Sequence, residues 1–91
     1  MFVETITQPE DEWREWNGRL RLYSVAPPGL RVAIAWRVKD GTITSVHVWD
    51  EPSAVGDFYL ARVREVVEEL GEPSAKPVRR GEPVELFVRD Q

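Results

Sequence analysis

The sequence predicts an α+β domain with element order β-α-β-β-α-β, and three observations predict it. An Asp40-Gly41 pair separates two β-rich runs, Leu30–Val38 and Thr42–Asp50. Apolar residues recur at helical spacing on either side of that hairpin, at Trp13, Trp16, Leu20 and Tyr23 and again at Val55, Tyr59, Val63, Val66 and Leu70. Short alternating runs, Met1–Ile6 and Val84–Val88, stand at the two ends.

The first strand alternates Phe2, Glu4 and Ile6 against Val3 and Thr5. Thr7 and Glu10 then have capping-box spacing, with Pro9 between them where a missing N–H costs little. Glu10, Asp11 and Glu12 suit the positive end of a helix dipole, so this acidic cluster reads as helix-start chemistry rather than a cation site. Asn17 and Gly18 weaken the middle of that helix, and Ala26-Pro27-Pro28-Gly29 breaks the chain before the hairpin.

Asp-Gly favours a two-residue type I′ turn, because both central positions need positive φ. That turn sets Val38 opposite Ile43, Ala35 opposite Val46 and Val32 opposite Trp49. Val32, Ile34, Trp36, Val38, Ile43, Ser45, His47 and Trp49 then share one face. The other carries Ala33, Ala35, Val46 and Val48 at its centre. Asp50 caps a second helix with Pro52 in its first turn, Phe58 flanking its stripe and Gly71 at its C′ position. Lys76–Arg80 adds a short extended piece.

This order is the ferredoxin-like sandwich, a four-stranded antiparallel sheet with two helices on one face, spanning residues 1–91 as a single domain. Two helices cover one face only. The Ala33, Ala35, Val46, Val48 face then needs a second copy, so a homodimer packed sheet to sheet is expected.

Net charge is −4 with no basic patch, and Ile43–Trp49 has neither Lys nor Arg, which argues against nucleic acid. No Cys is present, which removes disulfides, thiolate zinc and a cysteine nucleophile. With one His and scattered carboxylates, no metal site is expected. Apolar runs are too short to span a membrane, and MFVETITQPEDE lacks signal-peptide character, so the expected address is the cytoplasm.

Pro28-Gly29-Leu30, the hairpin, and Val48-Trp49-Asp50-Glu51-Pro52-Ser53-Ala54 resemble the antibiotic-biosynthesis-monooxygenase family of the dimeric α+β barrel superfamily. The resemblance covers the middle half of the chain. It implies an α+β barrel dimer and a pocket between sheet and helices. The strand-end Trp49 carries over. Quinone-forming members have an Asn four residues before that Trp and a Tyr six after, where this chain has Ser45 and Val55. Haem-degrading members have a helix Trp and a His where this chain has Phe58 and Glu68.

His47, the only histidine, reads either as a general base at neutral pH or as a core imidazole with one satisfied nitrogen. Ser45 lies two residues away on the same strand, about 7 Å in Cα terms, too far for a nucleophile–base pair. Trp49 and Trp36 either fill the core or wall a slot for a flat aromatic ligand, while Trp13 and Trp16 read as core. Tyr59 is the other proton candidate. Arg37 reads as a dimer or solvent contact, and Arg62 as a residue that snorkels to water. The resulting expectation is a cofactor-independent, monooxygenase-like enzyme acting on a small aromatic substrate. His47 would be catalytic, and Trp49, Ser45, Trp36, Tyr59 and Phe58 would line the substrate pocket. The alternative is a non-catalytic ligand-binding or structural homodimer.

Overall fold

The computed structural model describes residues 1–81. Its strands are β1 (Phe2–Pro9), β2 (Leu30–Val38), β3 (Thr42–Trp49) and β4 (Val78–Gly81), in the order β2-β3-β1-β4, every neighbour antiparallel. Helix α1 (Glu10–Leu20) joins β1 to β2. Pro52–Phe58 (α2), a π-helical turn at Tyr59–Val63 and Arg64–Leu70 (α3) together form the second helical arm. The α+β class and the ferredoxin-like strand order are those read from the sequence. The fourth strand is the short piece after Lys76; the run Val84–Val88 lies outside the described residues.

The hairpin register differs from expectation by one residue. Asp40 and Gly41 have the positive φ that the pair favours, 63° and 70°. Lys39 joins them in a 3-10 turn, however, so three residues lie in the loop and Val38 pairs with Thr42. Because side chains alternate, a one-residue slip moves the β2 side chains from Val32 to Val38 to the opposite face, while a bulge between Leu30 and Val32 leaves Leu30 opposite Trp49. Ala33 and Ala35 therefore sit opposite His47 and Ser45, on the helix side, and Arg37 sits opposite Ile43. Val32, Ile34 and Trp36 lie opposite Val48, Val46 and Thr44 on the other side.

The expected Ala33, Ala35, Val46, Val48 face is thus corrected: only Val46 and Val48 belong to it. Its open end is instead Ile34, Trp36 and Val38, with 54%, 44% and 37% of their surface exposed. Val78, opposite Thr5 in β1, extends the same face.

The helix starts also differ. Strand β1 pairs with β3 as far as Pro9↔Thr42, so Thr7 spends its hydroxyl on Thr44 across the ladder (3.0 Å) and caps nothing. Backbone pairing outweighs one local cap here. Asp50 likewise is no cap. Its N–H donates to the Gly29 carbonyl at 2.8 Å and its carboxylate meets Arg31 at 3.4 Å, while Glu51 occupies the cap position.

Helix α1 ends before Tyr23 because Arg21 turns left-handed, φ 55°, donating its N–H to the Asn17 carbonyl. Arg62, in the π turn, donates at 3.0 Å to the Leu20 carbonyl, which the end of α1 leaves open, and at 2.6 Å to the Val25 carbonyl in the loop that follows. It is an internal clamp rather than a snorkel. Gly71 ends α3 with φ 84°, as its position in the sequence predicts.

The core lies between the sheet and the helices. Phe2, Trp49 and Ala54 are buried together, flanked by Leu30, Val55 and Phe58. Trp16, Leu22, Ile43 and Val66 are buried as well. Gly29 explains two residues of the motif at once. Its φ is 86°, and a Cβ there would stand 2.6 Å from the Ala54 Cβ, so neither position has room for more side chain.

Candidate functional site

The alternation of β1 places Phe2, Glu4, Ile6 and Gln8 on the helix side, opposite Trp49, His47, Ser45 and Ile43 of β3. Two polar residues of β1 and two of β3 thereby enter the covered layer, where each needs a partner.

Glu4 is 6% exposed and Trp49 is wholly buried. Glu4 Oε1 accepts the Trp49 indole N–H at 3.1 Å and stands 3.2 Å from His47 Nδ1. The imidazole meets the Trp49 ring edge-on, centroids 6.4 Å apart, and Trp49 packs on Phe58 at 5.4 Å. His47 is nearly buried, its side chain 12% exposed, and among the described residues Nδ1 is its one hydrogen-bonded nitrogen.

A second polar pair lies one step along β3. Ser45, 1% exposed, accepts the Trp13 indole N–H at 3.0 Å. Tyr23 packs against Trp13 with centroids 6.0 Å apart. Burial pushes the Tyr23 hydroxyl's pKa up, and the neighbouring Ser45 pulls part of that back. Ser45 and His47 have separate partners, so they form no nucleophile–base pair.

The inner side of edge strand β2 is shallow, because Ala33 and Ala35 are the residues opposite His47 and Ser45. Near its Arg37 end a cavity of about 190 Å³ opens, lined by Glu10, Trp13, Arg14, Ala35, Trp36, Arg37 and Ile43. Arg37 closes its rim by a two-point bond to Glu10 (2.7 and 2.9 Å), and Arg14 adds another at 2.7 Å. The Arg37 and Arg14 hydrogen bonds lower the Glu10 pKa to about 2. Arg37, expected at the dimer face or in solvent, is on the helix side through the same register slip.

A larger hollow of about 360 Å³ lies between α1 and the second arm, lined by Arg19, Arg21, Arg62, Glu65 and Glu69 among others. His47 and Trp49 line neither hollow. No described trio of His, Asp or Glu is placed to hold a metal ion.

The structure therefore brings His47, Ser45, Trp49 and Phe58 into one covered layer. It does not bring Trp36 and Tyr59 there. Trp36 is 44% exposed and opposite Thr44, and Tyr59 is 44% exposed on the helical arm. Sequence reasoning missed Glu4, Trp13 and Tyr23 as polar partners. The signal for Glu4 was present: a carboxylate alternating in phase with Phe2 and Ile6 is an inward charge, and an inward charge needs donors.

No family model and no curated protein matches the chain. Its fold is nevertheless one that solved structures share. Two solved structures define that likeness. The monooxygenase ActVA-Orf6 of Streptomyces coelicolor, in complex with nanaomycin D, aligns over 97% of this chain and 92% of its own, with TM-score 0.60 and 18% identity. SnoaB, a cofactor-independent oxygenase from Streptomyces nogalater, aligns over 98% and 95%, with TM-score 0.58 and 15% identity.

Proposed function

We propose that the chain is a cofactor-independent, monooxygenase-like oxidoreductase of the cytoplasm that acts on a small aromatic substrate, with His47 taking the substrate's proton. The observation that carries this reading is the covered Glu4–His47 pair, 3.2 Å apart, in a fold shared with two oxygenases. A carboxylate paired with an imidazole in a covered layer costs more to bury than a well-packed apolar residue would, and paired ionisable groups cluster at working sites.

The ligand enters by the hollow lined by Trp13 and Ala35, and Ser45 and His47 lie beside it on the same side of the sheet, opposite Ala35 and Ala33. Loss of a proton from a phenolic hydroxyl leaves an electron-rich phenolate that itself reduces dioxygen, one oxygen atom replacing a ring hydrogen to give the quinone carbonyl and the other leaving as water. The chain works as a homodimer whose Ile34, Trp36, Val38 faces meet. Exposed apolar area and the pairing typical of the superfamily both support that assembly.

Dioxygen uptake with a panel of polycyclic phenols tests the proposal. The wild type consumes oxygen with at least one of them, and His47→Ala loses about 10²-fold or more in kcat. Unchanged turnover in His47→Ala rejects the assignment. The complete burial of Trp49 favours a second reading, a non-catalytic ligand-binding or structural dimer in which His47 and Trp49 are core. Absence of uptake with every phenol, together with no saturable quenching of tryptophan fluorescence, selects that one.

A further inference from the structure

We infer that Glu4 is the positioning residue for His47: it fixes the ring as the Nδ1–H tautomer and leaves Nε2 as the nitrogen that receives a proton. The role given to Nε2 rests on the proposed function; the tautomer does not.

The argument is one of donors and acceptors. An indole N–H only donates, and an ionised carboxylate only accepts. Glu4 Oε1 receives the Trp49 N–H at 3.1 Å, which fixes the carboxylate's place from the far side. The same oxygen faces Nδ1 of His47 at 3.2 Å, so Nδ1 carries the hydrogen of that contact. In a neutral imidazole the other nitrogen then has the lone pair.

The ring cannot readily turn to exchange the two nitrogens. Trp49 is buried and meets it edge-on, and Glu4 is held on the central strand β1 by pairing with β3. Among the described residues Glu4 is the charged group bonded to the ring, and no described residue bonds Nε2. When Nε2 takes a proton from a substrate hydroxyl, the O–H bond breaks, its electron pair stays on oxygen and a new N–H bond forms. The positive charge that appears on the ring faces a carboxylate already in place, which needs no rearrangement at the moment of transfer.

Because the chain has a single histidine, ¹⁵N NMR of the imidazole reports on one site. In the neutral wild type, Nδ1 should give the protonated and Nε2 the unprotonated ring-nitrogen signal. Glu4→Met removes the acceptor at similar length and should return the ring to the Nε2–H form. Glu4→Gln keeps an acceptor oxygen without the charge. It should keep the Nδ1–H signal while kcat falls about 10²-fold and KM moves little.

A wild-type ring in the Nε2–H form overturns the inference, and so does a folded Glu4→Met that retains Nδ1–H. The wild-type spectrum decides the matter even if Glu4→Met fails to fold. An enzymatically silent wild type with an Nδ1–H ring would sink the proposed function and leave this assignment standing.

Discussion

The two faces of the sheet invert the usual arrangement. The face covered by helices holds Glu4, Gln8, Ser45 and His47 among its inward residues, while the uncovered end of the other holds Ile34, Trp36 and Val38. On the covered side, Glu4 and Ser45 each accept an indole N–H and Gln8 donates to Glu12 at 2.8 Å. No buried side-chain nitrogen or oxygen among the described residues lacks a partner. Saturating each polar group keeps the desolvation cost from being ruinous, yet an apolar layer would be simpler to stabilise. The contrast sets a covered face rich in paired polar groups against an uncovered end rich in exposed apolar side chains.

The sharpest way to break that contrast is at its densest point. Trp49→Ala removes a large side chain that is both wholly buried and bonded to Glu4. It should lower stability by about 3–5 kcal/mol in urea titration, through the cavity and the lost donor together. Ser45→Ala should cost about 1 kcal/mol in the same assay, since the half-covered Trp13 indole can turn to water. On the opposite face, Ile34→Asp should change the intrinsic stability of the subunit by less than about 0.5 kcal/mol. Light scattering should show the wild type as a dimer and this variant as a folded monomer.

The smallest expected effect lies at the cavity rim and appears only in acid. The folded pKa of Glu10, about 2, is below its ordinary value of 4.5. Its contribution is complete above pH 4.5 and is lost as the pH falls through 2. Wild type and Arg37→Gln should therefore differ slightly at neutral pH and converge at the acid end of a pH series of thermal melts. Curves that stay parallel across that window would remove Glu10 from the rim's stability.

Fold order was legible because hairpin, stripes and breakers agreed with one another. Trp16, Leu20 and Val66 fall where helical spacing puts them, and Gly71 ends its helix as its chemistry requires. The faces of β2 were not legible, because Asp40-Gly41 fixes the sign of φ but not whether Lys39 joins the turn. One extra loop residue exchanged Ala33 and Ala35 for Ile34 and Trp36. The site was half legible. His47, Ser45 and Trp49 share a face in either register, since all three lie on β3. Their partners come from β1 and α1, and strand pairing over more than thirty intervening residues is not written in local spacing.

The wide turn at Tyr59–Val63 bears on how this arm evolves. There the Arg64 N–H reaches back to Tyr59, so the coil holds one residue beyond the ordinary α count. That surplus rotates everything downstream by about 100° relative to an uninterrupted coil. Phe58 can thus lie against Trp49 while Arg62 grips the end of α1 and Val66 still points inward. Deleting a single amino acid there would restore regular geometry and wreck this alignment, so a lineage should accept substitutions in the arm far more readily than changes in its length.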